Sequence, residues 1–490
     1  MMWLVVLIPA LSGLLALVLP GKRPRRVLLL AAAVAHGGAA VVLIASSADA
    51  PPGRWVALDA LGKVFLAITS GLFLAVAVYS VGYLGRESGR TTRDTQEGFP
   101  FRNEPDAVFI GCLLLFLATM SLVCISQDMS LLWIAVEATT LVSAPLICFH
   151  RHHRSLEAMW KYLLICSVGI ALALLGNFFL AFAGQGHTSL NVSSLSKAAS
   201  DLDPTWLKAA FLMLLVGYGT KMGLAPMHSW LPDAHSEAPS MVSALLSGAL
   251  LNCAFLGILR GHSLLSAAGL EQFSAELLIL FGLLSMGIAA AFLIGQTDYK
   301  RMLAYSSIEH MGILTLGIGL GGLASQGALL HAINHSLAKG WLFLAAGNLL
   351  FLYKTKNTAD VRGILKVGSA TGVLWLAGFL AITGSPPFGL FFSELTILKG
   401  ALDAGRWGIA AGYSLAMAVV FVAMARIVLP MAFGSPDNGE PAAALSVRGE
   451  AAWSVIPALA LCGVVLVLGL YIPPALWQFL RQAAIPVGGY

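Results

Sequence analysis

Three ionisable residues recur at every fourth position of the segment HAINHSLAK: His331, His335 and Lys339. On an α-helix that spacing stacks them along one face, about 6 Å apart. Imidazole titrates near neutrality and can donate and accept at once, so a His, His, Lys stripe beside water is a candidate proton wire. The alternative is three satisfied core residues; so many ionisable groups on one stripe of an apolar helix favour the wire.

Lys221 also lies deep within an apolar stretch, and Glu137 sits near the middle of another, WIAVEATTL. An ionised side chain at the centre of a bilayer costs at least about 2.5–3.5 kcal/mol, so each needs a partner of opposite sign. Glu137 is the nearest such acid on a neighbouring core helix. Paired, each group stabilises the other's charged form. A proton reaching Glu137 then removes the charge that holds the Lys221 ammonium and encourages that lysine to pass its own proton on. The pair is also readable as a static ion pair, although apolar residues replace a structural pair at little or no cost.

Glu394, in SPPFGLFFSELTILKG, is an acid in an apolar stretch interrupted by Pro386 and Pro387; the Lys221 stretch is interrupted by Gly223 and Pro226, with Pro232 just beyond. Proline breaks helices, and broken backbone at membrane depth survives only inside protein or beside a watery cavity. Paired breaks in corresponding halves of a chain point to an ion path, often through inverted repeats. Here the breaks are five helices apart. A five-helix repeat has one faint echo: Asp128 precedes Glu137 by nine residues, as Asp298 precedes Ser307. Other polar groups are open to two readings. Glu309 and His310 are adjacent, hence on different helix faces, and serve either function or packing. His228, Asp233, His235 and Glu237 either feed protons inward or cap helix ends.

These groups sit in a chain of 490 residues, 58% hydrophobic and 11% charged, with a mean hydropathy of +0.83. That is far from the soluble norm of about 25% charged. Crossing about 30 Å of hydrocarbon takes roughly 20 helical residues. Such stretches recur about fourteen times, over roughly 3–20, 27–45, 62–84, 107–126, 129–149, 160–184, 205–230, 237–260, 275–295, 302–321, 325–352, 368–402, 407–431 and 451–472. They are too long for barrel strands and lack the alternation of a barrel wall. The fold class is therefore all-α, a polytopic membrane protein. The first stretch lacks a basic leader and a small-residue cleavage site, and is read as a retained helix.

Lys and Arg gather in cytoplasmic loops. The loops after odd-numbered spans hold eighteen: Lys22, Arg23, Arg25, Arg26, Arg86, Arg90, Arg93, Arg102, Arg151, Arg154, Lys161, Lys300, Arg301, Lys354, Lys356, Arg362, Lys366 and Arg448. The other side holds six: Arg54, Lys197, Lys208, Arg260, Arg406 and Arg481. Both termini are therefore expected on the outer side. The net charge of +5 reflects this asymmetry and calls for no nucleic-acid partner. Lys63, Lys399 and Arg426 lie near span ends, where long side chains snorkel to the interface. All six cysteines fall inside spans with no CxxC pair or Cys/His cluster, and neither a dinucleotide fingerprint nor a phosphate loop is present. No metal and no cofactor is expected in this chain.

The segments KMGLAPMHSWLPDAHSEAPSMVSALLSGALLN, DYKRMLAYSSIEHMG, HAINHSLAKGWLFLAAGN and GSPPFGLFFSEL resemble the antiporter-like subunits of respiratory complex I and of group 4 nickel-iron hydrogenases. The resemblance covers about the third to the thirteenth span. It implies fourteen transmembrane helices, with inverted repeats of helices 4–8 and 9–13 and discontinuous helices 7 and 12. The expected divisions are 1–106, 107–261, 275–431 and 432–490. It also implies outward-facing termini and proton-translocating roles for Glu137, Lys221, His331, His335, Lys339 and Glu394.

The eighth helix departs from the family pattern: Asn252 and Ser247 stand where relatives carry a lysine or a histidine. Neither titrates, so transfer between the halves is expected through water held by these groups, or through His228 or His235. The chain stops soon after its last span, without the lateral helix of the largest complex I subunit, and looks most like the hydrogenase-4 F type. The partners implied are other membrane subunits and a peripheral redox module, of hydrogenase or quinone-reductase type, in the inner membrane of a bacterium or archaeon. A complex I subunit or a subunit of a multisubunit Na+/H+ antiporter is the alternative, and a non-transporting scaffold the bland one.

Overall fold

The hydrophobic stretches fold as helices because, away from water, only a helix satisfies every backbone group within one segment. The computed structural model describes residues 2–46, 55–87, 91–93, 100–185, 189–435 and 450–489. Of the charges counted above, Arg54, Arg90 and Arg448 lie outside the described residues. The chain begins with α1 (Leu4–Val18), α2 (Lys22–Ser46) and α3 (Ala60–Glu87). A first group follows: α4 (Asp106–Ile125), α5 (Met129–Ile147), α6 (His153–Ala183), the short α7 (Val192–Lys197), α8 (Pro204–Met222), α9 (Trp230–Glu237), and α10 (Ser240–Leu245) running through a π turn into α11 (Leu251–Ala267). A second group comprises α12 (Glu271–Leu293), α13 (Tyr299–Leu320), α14 (Gly322–Tyr353), the short α15 (Ile364–Val367), α16 (Ser369–Ile382), α17 (Gly389–Asp403) and α18 (Trp407–Phe433). Helices α19 (Ala452–Leu470) and α20 (Pro474–Ala484) follow.

Among the described residues, ten helices are long and apolar enough to cross a membrane, and Leu4–Val18 and Ser369–Ile382 are shorter apolar helices. The difference from the fourteen stretches read from hydropathy has local causes. The stretch 205–230 is not one helix: α8 stops at Met222, where Gly223 takes the left-handed conformation at φ +82°. The stretch 368–402 is likewise divided, between Ile382 and Gly389. Helix α13 carries Lys300, Arg301, Glu309 and His310 within an otherwise apolar run. One small feature is not helical: Thr91–Arg93 and Pro100–Arg102 pair as an antiparallel hairpin between α3 and α4.

Two close helix pairs hold the groups together. A Cβ on Gly217 of α8 would lie 2.7 Å from Gly169 O of α6, and one on Gly312 of α13 would lie 2.7 Å from Gly282 O of α12. Without a hydrophobic drive between helices in lipid, close packing of small residues supplies the attraction. Asp128 caps α5 by accepting from the amides of Ser130 and Leu131, and Asp298 caps α13 by accepting from those of Lys300 and Arg301. Each aspartate also bridges to an asparagine, Asn191 and Asn357 respectively. The faint sequence echo therefore has a structural counterpart.

Candidate functional site

Lys221 occupies the last turn of α8, against the break, and is completely buried. Its ammonium donates to Thr140 Oγ1 at 2.8 Å and to Tyr162 OH at 2.5 Å. Thr140 in turn donates to Glu137 Oε2 at 3.2 Å, and Ser167 donates to Glu137 Oε1 at 2.8 Å. Ser143 and Tyr162 share a hydrogen bond of 2.6 Å. Glu137 and Lys221 thus lie on connected faces of α5 and α8, with a hydroxyl between them rather than a direct ion pair. Thr140 lies three residues after Glu137, on the same helix face, which is what lets one hydroxyl touch both charges.

Helix α11 packs on α8, and the π turn at its start packs on α14. π turns are wider than the α-helix and frequent at functional sites. Within this one, Gly248 fits closely enough that its Cβ would lie 2.8 Å from Ser336 O. Asn252 donates to Gly248 O at 2.9 Å and to Ser336 Oγ at 2.8 Å. Ser247 bonds Ser307 at 2.9 Å, and Ser307 donates to Leu303 O. Lys339, fully buried, donates to that same carbonyl at 2.6 Å and to Ser306 Oγ at 2.7 Å. The two untitratable residues of the eighth span therefore reach α14 and α13 at the level of Lys339.

Beyond Lys339 the stripe on α14 meets α13 and α17. His331 Nε2 lies 2.9 Å from His310 Nδ1, and His331 Nδ1 lies 2.9 Å from Ser393 Oγ. His335 stacks toward the same group, its ring centre 4.8 Å from that of His310, with both ring nitrogens unpartnered. Glu394, one residue after Ser393, is 4% exposed and leaves Oε1 unpartnered. Gly384, at φ +64° in the break between α16 and α17, makes room for that carboxylate: a Cβ there would collide with Glu394 Oε2. The backbone break therefore positions the acid.

The accessory positions divide. His235 is buried with its ring flat against Phe343, 4.9 Å between centres, and neither nitrogen has a partner. His228 joins none of these chains; it packs beside Phe292 and Tyr305. Asp233 pairs with Lys161 and Arg301. Glu237 pairs with Lys356 at 2.9 Å. Next to it, at one end of the bundle, is a cavity of ≈ 170 Å³ lined by Arg86, His150, Arg154, Glu237, Lys300 and Lys356 among others. Lys300 bridges from that cavity to the α9 terminus, donating to Ser236 O at 3.1 Å and to Ala238 O at 2.5 Å. At the other end, Arg260 makes a two-pronged pair with Asp59, just before α3. Burial pushes the Asp59 carboxyl up, but the Arg260 guanidinium and the amide of Gly62 bring it below the usual carboxylate range.

Sequence reasoning missed several members of this path. Thr140, Tyr162 and Ser167 carry no charge, so nothing in an apolar stretch distinguishes them from packing residues. His310 was left between function and packing; its adjacency to Glu309 in SSIEHMG was the signal. A ring nitrogen of His310, one of His331 and a Glu394 oxygen lie within 4.8 Å of one another, the one such set of potential metal donors among the described residues. All four imidazole nitrogens are already engaged, with each other, Ile382 O and Ser393.

Residues 126–425 match the family model described as NADH:quinone oxidoreductase/Mrp antiporter, transmembrane. A hydrogenase-4 component F homolog of Methylacidiphilum infernorum is 34% identical over 441 residues, 89% of each chain. An NADH-quinone oxidoreductase subunit N of Desulforudis audaxviator is 31% identical over 434 residues, covering 86% of this chain and 83% of the relative. A subunit in the structure of the archaeal membrane-bound sulfane sulfur reductase superposes with a TM-score of 0.86 at 22% identity, covering 100% of this chain and 98% of that one. With the family match spanning more than half its length and the buried path in place, the chain belongs to the antiporter-like transmembrane family of NADH:quinone oxidoreductases and Mrp antiporters.

Proposed function

We propose that this chain is the proton-translocating, antiporter-like membrane subunit of an energy-converting oxidoreductase of the hydrogenase-4 type. Glu137 acts as the charge switch, Lys221 as the carrier of the first half, His331, His335 and Lys339 as the central relay, and Glu394 as the exit group. The observation that supports this most is the run Glu137, Thr140, Lys221: a fully buried ammonium whose opposite charge is reached through one hydroxyl. Protonating Glu137 removes the acceptor charge that orients Thr140. That weakens the site that holds the lysine's proton.

The paired breaks at Gly223 and Gly384 and the matched caps at Asp128 and Asp298 support reading α4–α11 and α12–α18 as two inverted repeats. The excess of basic residues at one end supports outward-facing termini in an inner membrane. Asn252 and Ser336 would pass a proton between the halves through water, and Lys300 would link the charged cavity to the end of α9. The redox chemistry belongs to a peripheral module in a partner subunit.

Purification of the assembly through a tag on this chain is the test. The reading expects a nickel-iron hydrogenase large subunit in the assembly and electron-transfer-driven proton uptake in reconstituted vesicles. The 31% identity to a subunit N supports the second reading, a complex I subunit, which would bring a quinone-reducing module instead. A set of small antiporter subunits with sodium-dependent exchange and no redox partner would replace both readings.

A further inference from the structure

The hydrogen bonds around His310 can be counted proton by proton. His310 Nε2 lies 3.0 Å from Ile382 O, and Ser393 Oγ lies 2.8 Å from Leu390 O. A carbonyl oxygen only accepts, so both bonds take their hydrogen from the side chain. Between these ends are the contacts His310 Nδ1 to His331 Nε2 and His331 Nδ1 to Ser393 Oγ, each 2.9 Å. Four bonds need four hydrogens. Two neutral imidazoles and one hydroxyl supply three.

With the Ser393 hydroxyl turned to Leu390 O, His331 Nδ1 must donate to Ser393. Then either His331 Nε2 or His310 Nδ1 carries the remaining hydrogen, and one ring is an imidazolium. Without the extra proton, the hydroxyl turns to His331 Nδ1, His331 Nε2 donates to His310, and every bond but the one to Leu390 O survives. Leu390 lies in the first turn of α17, where its carbonyl also serves the helix ladder. Losing the serine's hydrogen bond there is therefore cheap. The two arrangements differ by one proton and one hydroxyl rotation.

The surroundings supply a donor side and an acceptor side. His335 approaches from α14, with the buried Lys339 one turn further along that helix, and Glu309 is buried next to His310 in the chain of α13. Glu394 contributes a carboxylate whose Oε1 has no partner, within 4.8 Å of both histidines. We propose that His310 and His331 share one excess proton in transit, that the Ser393 hydroxyl switches between Leu390 O and His331 as the proton arrives and leaves, and that Glu394 receives it. The transfer balances internally: imidazolium and carboxylate become neutral imidazole and carboxylic acid. This rests on the transport reading above and adds His310 and Ser393 to the path.

The experiment uses the intact membrane complex with histidine labelled by nitrogen-15. His310→Gln keeps a donor for Ile382 O and an acceptor for His331 but cannot take up a proton. We expect an imidazolium signal shared between two hydrogen-bonded rings in the native complex and confined to a single ring, His331, in His310→Gln. Proton translocation per electron transferred should fall roughly 100-fold, the order lost when a positioned proton-transfer group is removed. Ser393→Ala, a milder change, should weaken the signal and move its loss to lower pH than in the native complex, because the imidazolium N–H at His331 Nδ1 has then lost its acceptor. Normal pumping in His310→Gln, or neutral histidines throughout the native complex, would overturn the inference. Lys221→Ala separates this from the broader reading. If pumping fails there but persists in His310→Gln, only the histidine pair is wrong; if it persists in both, transport by this path is wrong.

Discussion

Lys221 and Glu137 communicate without touching: Thr140 accepts from the lysine at 2.8 Å and donates to the carboxylate at 3.2 Å. A threonine hydroxyl has one hydrogen, so this orientation holds only while Glu137 is the better acceptor. Thr140→Val keeps the shape and removes the link. A hydrogen bond to a charged group contributes about 1.5–3 kcal/mol, so we expect proton translocation to fall roughly 10- to 100-fold, with Thr140→Ser close to native. Proton uptake by reconstituted vesicles reads the difference, and equal rates in Thr140→Val and the native chain would show that the hydroxyl carries no coupling.

Gly384 faces Glu394 across the α16–α17 break, in a left-handed conformation. Alanine there costs about 1–2 kcal/mol in backbone strain, and its methyl occupies the space of the carboxylate. Gly384→Ala should lower the thermal unfolding midpoint and displace Glu394, giving a loss of translocation resembling that of Glu394→Gln. An alanine variant that pumps normally would mean that the exit group needs no fixed position.

The pair of Asp59 and Arg260 ties the start of α3 to α11. Because Asp59 titrates below its ordinary range in the folded chain, its contribution is complete above the unfolded pKa, about 3.9. It is lost as pH falls through the lower folded value. Asp59 is partly exposed, so Asp59→Asn should destabilise the chain by only about 1–2 kcal/mol near neutrality. The gap between variant and native chain should close toward acid pH. Unfolding midpoints across pH measure this; a constant gap would assign the effect to packing.

Much of the path was legible because membrane interiors make charge conspicuous. Lys221, His331, His335, Lys339 and Glu394 stand out against apolar neighbours, and the fourfold spacing on α14 depends only on helix geometry. The breaks announced themselves through Gly223 and the Pro386–Pro387 pair. What connects these groups was hidden. Thr140 and Tyr162 are ordinary hydroxyl residues until α5, α6 and α8 come together. His310 meets His331 across a helix hairpin, 21 residues away in sequence, and no periodicity encodes that. The π turn at Leu246–Leu250, which brings Ser247 to α13 and Asn252 to α14, has no residue signature at all.

Hydropathy also merged what the backbone divides. The stretches around 205–230 and 368–402 read as single spans because their breaks carry no Lys, Arg, Asp or Glu. Gly223 and Gly384 turn the backbone by conformation rather than by charge, and their positive φ angles mark where each half stops.

The most direct test of the central claim is proton translocation by the intact complex carrying Lys221→Ala, measured beside electron transfer through the redox module proposed above. Among the described residues Lys221 makes no salt bridge and donates to the hydroxyls of Thr140 and Tyr162. The account predicts that pumping stops while electron transfer by the soluble partner persists. Undiminished pumping in that variant would contradict it.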